Sequence, residues 1–129
     1  MVVRVLLLVL GLFHIANGLY MLTAPAEWYA AVPGVTLTGP FNHHFVQDIG
    51  MAFLASGAGL AWGMRRGRSA AIFACAGAVW PALHALIHVD GWLVHGIAPG
   101  TAAAELVGVG ALALLGVVLA WARLRGEGA

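Results

Sequence analysis

The sequence VVRVLLLVLGLFHIANGLYMLT occupies Val2–Thr23 and carries one charged residue, Arg4. A helix that crosses the hydrocarbon core of a bilayer needs about 20 mainly apolar residues, and this stretch meets that requirement. Three further stretches of comparable character follow it, at Pro40–Met64, Ser69–Val89 and Thr101–Leu124. Because short connectors favour antiparallel neighbours, the sequence predicts an all-α integral membrane protein, a four-helix up-down bundle that forms a single transmembrane domain.

The composition favours a membrane protein over a soluble one. Of the 129 residues, 62% are hydrophobic and 9% are charged, and the mean hydropathy is +0.94. Soluble domains carry about 25% charged residues, and a soluble domain of this size leaves too much surface exposed to hide so many apolar side chains. The composition therefore argues against a soluble enzyme, a disordered chain and a coiled coil. A formal net charge of +1 and the absence of lysine also argue against a nucleic-acid partner.

The arginines predict the orientation of the bundle. All six lie at one end of the bundle: at the start of the first helix, in the turn between the second and third helices, and at the end of the fourth. They are Arg4, Arg65, Arg66, Arg68, Arg123 and Arg125. The positive-inside rule then places both termini and this turn in the cytoplasm.

The N-terminal stretch also resembles a secretory signal, because the apolar run Val5–Phe13 is followed by the small-residue triplet Ala24–Ala26. The apolar run continues to Leu22, however, which is longer than the usual core of a signal peptide. Its removal would also leave three helices. We therefore expect the first helix to be retained.

Ionisable residues inside membrane segments are costly, and they are candidates for function for that reason. At a rise of about 1.5 Å per residue, each predicted helix places at least one ionisable side chain in the outer half of the membrane, whereas the inner half has only the arginines at its rim. The outer set consists of His14, His44, Asp48, His84, His88 and Glu105.

The spacing of these residues predicts a metal site. His44 and Asp48 are four residues apart, as are His84 and His88, so each pair shares one face of its helix. Helical bundles bind metal ions with such pairs on facing helices. We therefore expect His44, Asp48, His84 and His88 to be the metal ligands. The candidates for further ligands or for orienting the imidazoles are His14, Glu105, His43, Asn42, Gln47 and Asn17.

Imidazole and carboxylate ligands suit a transition metal such as iron, copper or zinc. A haem is the alternative cofactor, held by His84 and by His44 or His14 opposite it. Because the sequence has no C-x-x-C-H motif, such a haem would be non-covalent. With an open coordination position, either centre could bind or activate a small molecule, or transfer an electron.

Two other functions remain open. Chains of Asp, Glu and His form proton relays in membranes, which favours a proton-coupled transporter or channel component, but the inner half lacks polar residues to continue the path. Polar contacts can also be purely structural, as in an accessory subunit of a membrane complex. The pattern Gly59-x-x-x-Gly63 fits close helix packing, either within the chain or in a homo-oligomer or larger complex in the lipid bilayer.

The first half of the chain carries a distinctive set of residues. They are Arg4, Gly11, Gly18-Leu19-Tyr20, Pro25, Trp28, Val32-Pro33-Gly34 and the run Gly39-Pro40-Phe41-Asn42-x-His44-Phe45-x-x-Asp48-Ile49-Gly50. In these residues the chain resembles small bacterial inner-membrane proteins of the broad DoxX-like, four-helix kind. The second half matches only in hydropathy and in Leu83-His84-x-x-x-His88. The resemblance implies a multi-pass protein of the bacterial inner (plasma) membrane and supplies no reaction and no catalytic residue.

Overall fold

The computed structural model describes residues 1–96 and 99–126, and all regular secondary structure in these ranges is helical. The connection between the first two long helices contains a short helix and a 3-10 turn at Val35–Leu37. The last long stretch contains a π-helical segment at Leu106–Ala111, between two α-helices. The α-helices are α1 (Val2–Thr23), α2 (Pro25–Ala31), α3 (His43–Trp62), α4 (Arg68–His95), α5 (Pro99–Glu105) and α6 (Leu112–Arg125).

Three helical stretches of the described chain are long and apolar enough to cross a membrane: Val2–Thr23, Arg68–Val94 and Gly100–Arg125. The predictions of an all-helical fold and of membrane-spanning helices are confirmed at this level. Helix α3 has 20 residues but falls outside this set. Its first two turns carry two histidines, a glutamine and an aspartate, which lower its mean hydropathy.

The structure lengthens one predicted helix, shortens another and adds a short helix between the first two. Helix α4 continues past Val89 to His95, because one glycine in a helix costs only about 1 kcal/mol and the extension makes contacts with α5 that are described below. Helix α3 begins at His43 rather than at Pro40, because the Asn42 side chain caps it by accepting the amide of Phe45 at 3.1 Å. The predicted loop before it contains α2, which starts with a proline in the first turn, where the missing N–H costs nothing.

Glycines bring α1 and α3 into backbone contact. A Cβ atom added at Gly11 would lie 2.7 Å from the carbonyl oxygen of Gly57, and one added at Gly18 would lie 2.7 Å from that of Gly50. These distances leave no room for a side chain, so the two backbones touch directly. Because Gly11 meets Gly57 and Gly18 meets Gly50, the two helices run antiparallel.

The small-residue pattern of α3 packs within the chain. A Cβ atom added at Gly59 would lie 2.8 Å from the carbonyl oxygen of Phe73, and one added at Gly63 would lie 2.7 Å from Cβ of Ala74, both on α4. Helix α4 in turn contacts α6, and α6 contacts α1. The buried core combines residues of α1, α3, α4 and α6: Leu7, Leu10, Leu60, Ala74, Ala78, Leu119 and Ala120.

Arginines join the helices at one end of the structure, which we call the arginine end (Arg4, Arg65, Arg66, Arg68, Arg123 and Arg125). Arg4 donates to the carbonyl oxygen of Met64 at 2.6 Å, and Arg123 donates to those of Gly63 and Arg65 at 3.2 and 2.8 Å. These bonds satisfy carbonyl groups at and beyond the end of α3, where the helix leaves them without a partner. The side chain of Arg123 is buried as a consequence.

Candidate functional site

Polar side chains far from the arginine end form a hydrogen-bonded cluster between α4 and α5. Nδ1 of His88 lies 2.9 Å from Oε2 of Glu105, and the indole Nε1 of Trp92 donates to the same oxygen at 2.8 Å. Nε2 of His88 lies 3.2 Å from Nε2 of His84. The side chains of His88 and Glu105 are 22% and 12% exposed. We call His84, His88, Trp92 and Glu105 the His84 cluster.

Helix geometry explains how the cluster forms. His84, His88 and Trp92 are spaced by four residues, so they lie on one face of α4. The helical extension beyond Val89 is what brings Trp92 into this row. Glu105 is the last residue of α5 and is followed at once by the π-helical segment. Such segments are rare and occur frequently at functional sites.

The partners of His88 define its tautomer. An ionised carboxylate only accepts hydrogen bonds, so the bond to Glu105 places the His88 proton on Nδ1. The other ring nitrogen, Nε2, then carries a lone pair that faces Nε2 of His84. The bond to the carboxylate therefore leaves His88 with a nitrogen that can bind a proton or a metal ion.

An aromatic series extends from the cluster toward α1. The ring of His84 stacks on Trp80 at a centroid distance of 5.0 Å and an angle of 9°, and Trp80 contacts Phe53 at 4.7 Å. Phe53 lies 5.5 Å from His14, which is 3% exposed and bonded through Nδ1 to the carbonyl oxygen of Leu10 at 2.9 Å. Two aromatic rings thus lie between His14 and His84, and the structure does not bring these two candidates together.

His44 and Asp48 form a separate pair on an exposed face of α3. Their Nε2 and Oδ2 atoms are 3.5 Å apart, and their side chains are 86% and 61% exposed. Asp48 lies two positions before Gly50, so the two residues point about 200° apart on the helix. Because Gly50 contacts α1 closely, Asp48 faces away from α1, together with His44 one turn before it. Of the four predicted metal ligands, the structure therefore places two in the His84 cluster and two outside it.

The four remaining candidates serve local structure. Asn42 caps α3, and the ring of His43 contacts Phe41 edge-on at 6.2 Å. Gln47 donates to the carbonyl oxygen at the end of α1 at 3.3 Å, and Asn17 accepts the indole N–H of Trp28 at 2.9 Å. Among the described contacts, none of these side chains orients an imidazole.

Trp92 was not identified from the sequence as part of the cluster. The repeat of four residues that links His84 to His88 continues to Trp92, and this signal could have identified it. No sequence pattern indicates that Gly34 lies close to the cluster. A Cβ atom at Gly34, where φ is +86°, would lie 2.9 Å from Oε1 of Glu105.

The chemistry of the cluster is that of two imidazoles and one carboxylate. Within residues 1–96 and 99–126, no group of three or more His, Cys, Asp or Glu side chains is arranged to hold a metal ion. The cluster thus presents two facing nitrogens, and its carboxylate is turned to His88 and Trp92.

Comparisons with protein-family models, with curated proteins and with solved structures gave no match. The similarity to DoxX-like membrane proteins therefore stays a prediction from the sequence.

Proposed function

We propose that this is a multi-pass membrane protein that binds a transition-metal ion through His84 and His88. The observation that carries the proposal is the 3.2 Å separation of their Nε2 atoms. Two nitrogens that bind one ion at about 2.0–2.1 Å in tetrahedral geometry lie about 3.3 Å apart. An ion can therefore take the place of the proton that His84 donates to His88, and the separation of the two nitrogens changes little.

Glu105 supports this assignment as a positioning residue. Histidine ligands of metal ions nearly always donate their second ring nitrogen to a carboxylate or carbonyl group, which sets the tautomer and makes the ligand more basic. The bond between His88 and Glu105 is of this kind. Trp92 donates to the carboxylate as well, and Gly34 lies close to its other oxygen.

The geometry favours a metal ion over haem, because Phe53 and Trp80 lie between His14 and His84, and His44 lies on an exposed face of α3. The two axial nitrogens of a haem lie about 4 Å apart, at twice the usual metal–nitrogen distance, on opposite sides of the macrocycle. The His84 and His88 nitrogens are closer than that, and Trp80 covers one face of the His84 ring. Iron, copper and zinc all accept imidazole. With these two nitrogens as its protein ligands, the ion would have open coordination positions at which water or a small molecule would bind.

In the proposed topology all four long helices cross the bacterial inner membrane as an up-down bundle. The antiparallel contacts of α1 with α3 support this arrangement. Two arginine–tryptophan pairs, Arg65 with Trp62 and Arg125 with Trp121, suit the cytoplasmic interface. The His84 cluster then lies toward the periplasmic side, and the polar start of α3 lies at the outer rim, where water reaches it.

A proton-transport role has less support, because the buried residues between the cluster and the arginine end are mostly apolar. Ala74, Ala78 and Leu60 fill this region. A purely structural role, in which the bond between His88 and Glu105 joins α4 to α5, predicts no metal binding. A measurement of metal binding therefore distinguishes a purely structural role from the proposed function.

The test is metal binding by the full-length protein purified in detergent. We expect titration with Zn²⁺, Cu²⁺ and Fe²⁺ to show one bound ion per chain for at least one metal. His84→Ala and His88→Ala should each lower the affinity at least a hundredfold, whereas His44→Ala, which removes an exposed imidazole, should not change it. Wild-type protein that binds none of the three ions, or that loses as much affinity in His44→Ala as in His84→Ala, would contradict the proposal. Circular dichroism confirms that each variant is folded.

A further inference from the structure

An open apolar groove of about 630 Å³ runs between α3 and α4 on the outside of the protein. Small residues such as Ala55, Gly59 and Ala76 line its middle, Trp62 lies toward the arginine end, and Trp80 lies at the far end. The only hydroxyl in its lining belongs to Ser56, which already donates to a carbonyl oxygen of α4 at 2.6 Å. The volume falls in the range of small-molecule sites, about 300–1,000 Å³.

Positive charge lies at one mouth of this groove. The turn that joins α3 to α4 carries Arg65, Arg66 and Arg68, all of them exposed. The guanidinium of Arg65 lies 4.5 Å from the ring centroid of Trp62, so the charged group sits over the aromatic end of the groove. The chain has no acidic residue between Asp48 and Asp90 to neutralise this turn locally.

The length of the groove fits one lipid chain. The lining residues of α3 extend from Ala52 to Trp62, which is about 15 Å along the helix axis. The hydrocarbon core of a bilayer is about 30 Å thick. A groove of this length, starting at the arginine end, therefore reaches through one leaflet.

We propose that the groove binds an anionic phospholipid. The phosphate group lies among Arg65, Arg66 and Arg68, and one acyl chain occupies the groove as far as Trp80. Basic pockets between membrane helices bind anionic headgroups in this way. This site is separate from the proposed metal site, although Trp80 belongs to the groove and stacks on His84.

A second copy of the chain fits this groove less well. A two-fold axis along the membrane normal would bring two sets of three arginines to the same end, where they repel each other. The glycines that would allow close helix approach are also used within the chain, since a Cβ atom at Gly59 would lie 2.9 Å from Cα of Gly77. A lipid with a negative headgroup matches both the positive charge at the mouth of the groove and the narrow apolar shape of the groove itself.

The headgroup is tested by native mass spectrometry of the delipidated full-length protein with phosphatidylglycerol and phosphatidylcholine of identical acyl chains. We expect at least a tenfold preference for phosphatidylglycerol. Arg66→Gln/Arg68→Gln should lower its affinity about 25-fold, or about fivefold for each arginine, and should leave phosphatidylcholine unchanged. Arg125→Gln removes a charge at the same end but outside the turn and should retain the wild-type affinity. Equal binding of the two lipids, or an equal loss in Arg125→Gln, would overturn the proposal.

The acyl-chain position is tested by filling the groove. Ala55→Leu/Ala76→Leu should lower the affinity for phosphatidylglycerol at least tenfold, whereas Ala122→Leu, at an exposed site on α6, should not. Because these variants change the packing of the helices, fluorescence quenching of the wild-type protein provides a second test that does not depend on their folding. Phosphatidylglycerol with brominated acyl chains should quench tryptophan fluorescence more strongly than brominated phosphatidylcholine. Equal quenching, or a dimer that dissociates when the groove is filled, would show that the lipid does not occupy this site.

Discussion

Replacing Glu105 with Gln gives the sharpest test of how the His84 cluster works. The amide has nearly the shape of the carboxylate and still accepts hydrogen bonds, but it lacks the negative charge. Oε2 of Glu105 accepts from His88 at 2.9 Å and from Trp92 at 2.8 Å. Hydrogen bonds to charged groups contribute about 1.5–3 kcal/mol, against about 0.5–1.5 kcal/mol for neutral ones. We therefore expect each of these bonds to weaken by about 1 kcal/mol.

The effect on metal affinity follows from the His88 bond alone, because Trp92 does not ligate. Loss of a carboxylate that orients a ligating histidine typically lowers metal affinity about 10–100-fold, which corresponds to about 1.4–2.8 kcal/mol. We expect Glu105→Gln to fall in this range when metal binding is measured by competition with a chelator of known affinity. Glu27→Gln, the same change at an exposed residue of α2, should retain wild-type affinity.

Two results would refute this reasoning. If Glu105→Gln binds metal within twofold of the wild type, the carboxylate does not set the properties of His88. If it loses stoichiometric binding as completely as His84→Ala does, Glu105 is itself a ligand, and its role as a positioning residue is wrong. A thermal unfolding curve for each variant ensures that affinity is compared between folded proteins.

The remaining predictions concern residues outside the cluster. His44→Ala/Asp48→Asn should change the free energy of unfolding by less than about 1 kcal/mol, because the pair is exposed; a larger loss in denaturant unfolding would show that this face is covered. Gly57→Ala should destabilise the protein by about 1–3 kcal/mol, since its Cβ would lie 2.7 Å from a carbonyl oxygen of α1. Gly91→Ala, whose added Cβ would have no neighbouring atom within 4 Å, should stabilise α4 by up to about 1 kcal/mol. A similar loss of stability in Gly57→Ala and Gly91→Ala would contradict the close packing at Gly57. Arg123→Gln should cost about 2 kcal/mol or more, because it breaks bonds between a buried cation and two carbonyl groups; a change under about 0.5 kcal/mol in the same assay would refute this.

The sequence determined where helices form, because the requirement for a long apolar stretch is local to each segment. It predicted four membrane-spanning helices, three of which are long and apolar enough to cross a membrane in the described structure, and it predicted that six arginines lie at one end. It also identified His84 and His88 as a pair on one helix face, and Glu105 as a candidate partner. These predictions depended on spacing along one helix or on the average character of a segment.

The rotation of each helix about its own axis follows from packing between helices and could not be predicted from the sequence. The long helices are apolar on most sides, so no polar face of the sequence indicates which side meets a neighbour. Backbone contacts at Gly50 and Gly57 orient α3, and they direct His44 and Asp48 away from its contact with α1. The continuation of α4 beyond Val89 brought Trp92 to Glu105. Both outcomes depend on contacts between segments far apart in the chain, which hydropathy and spacing do not encode.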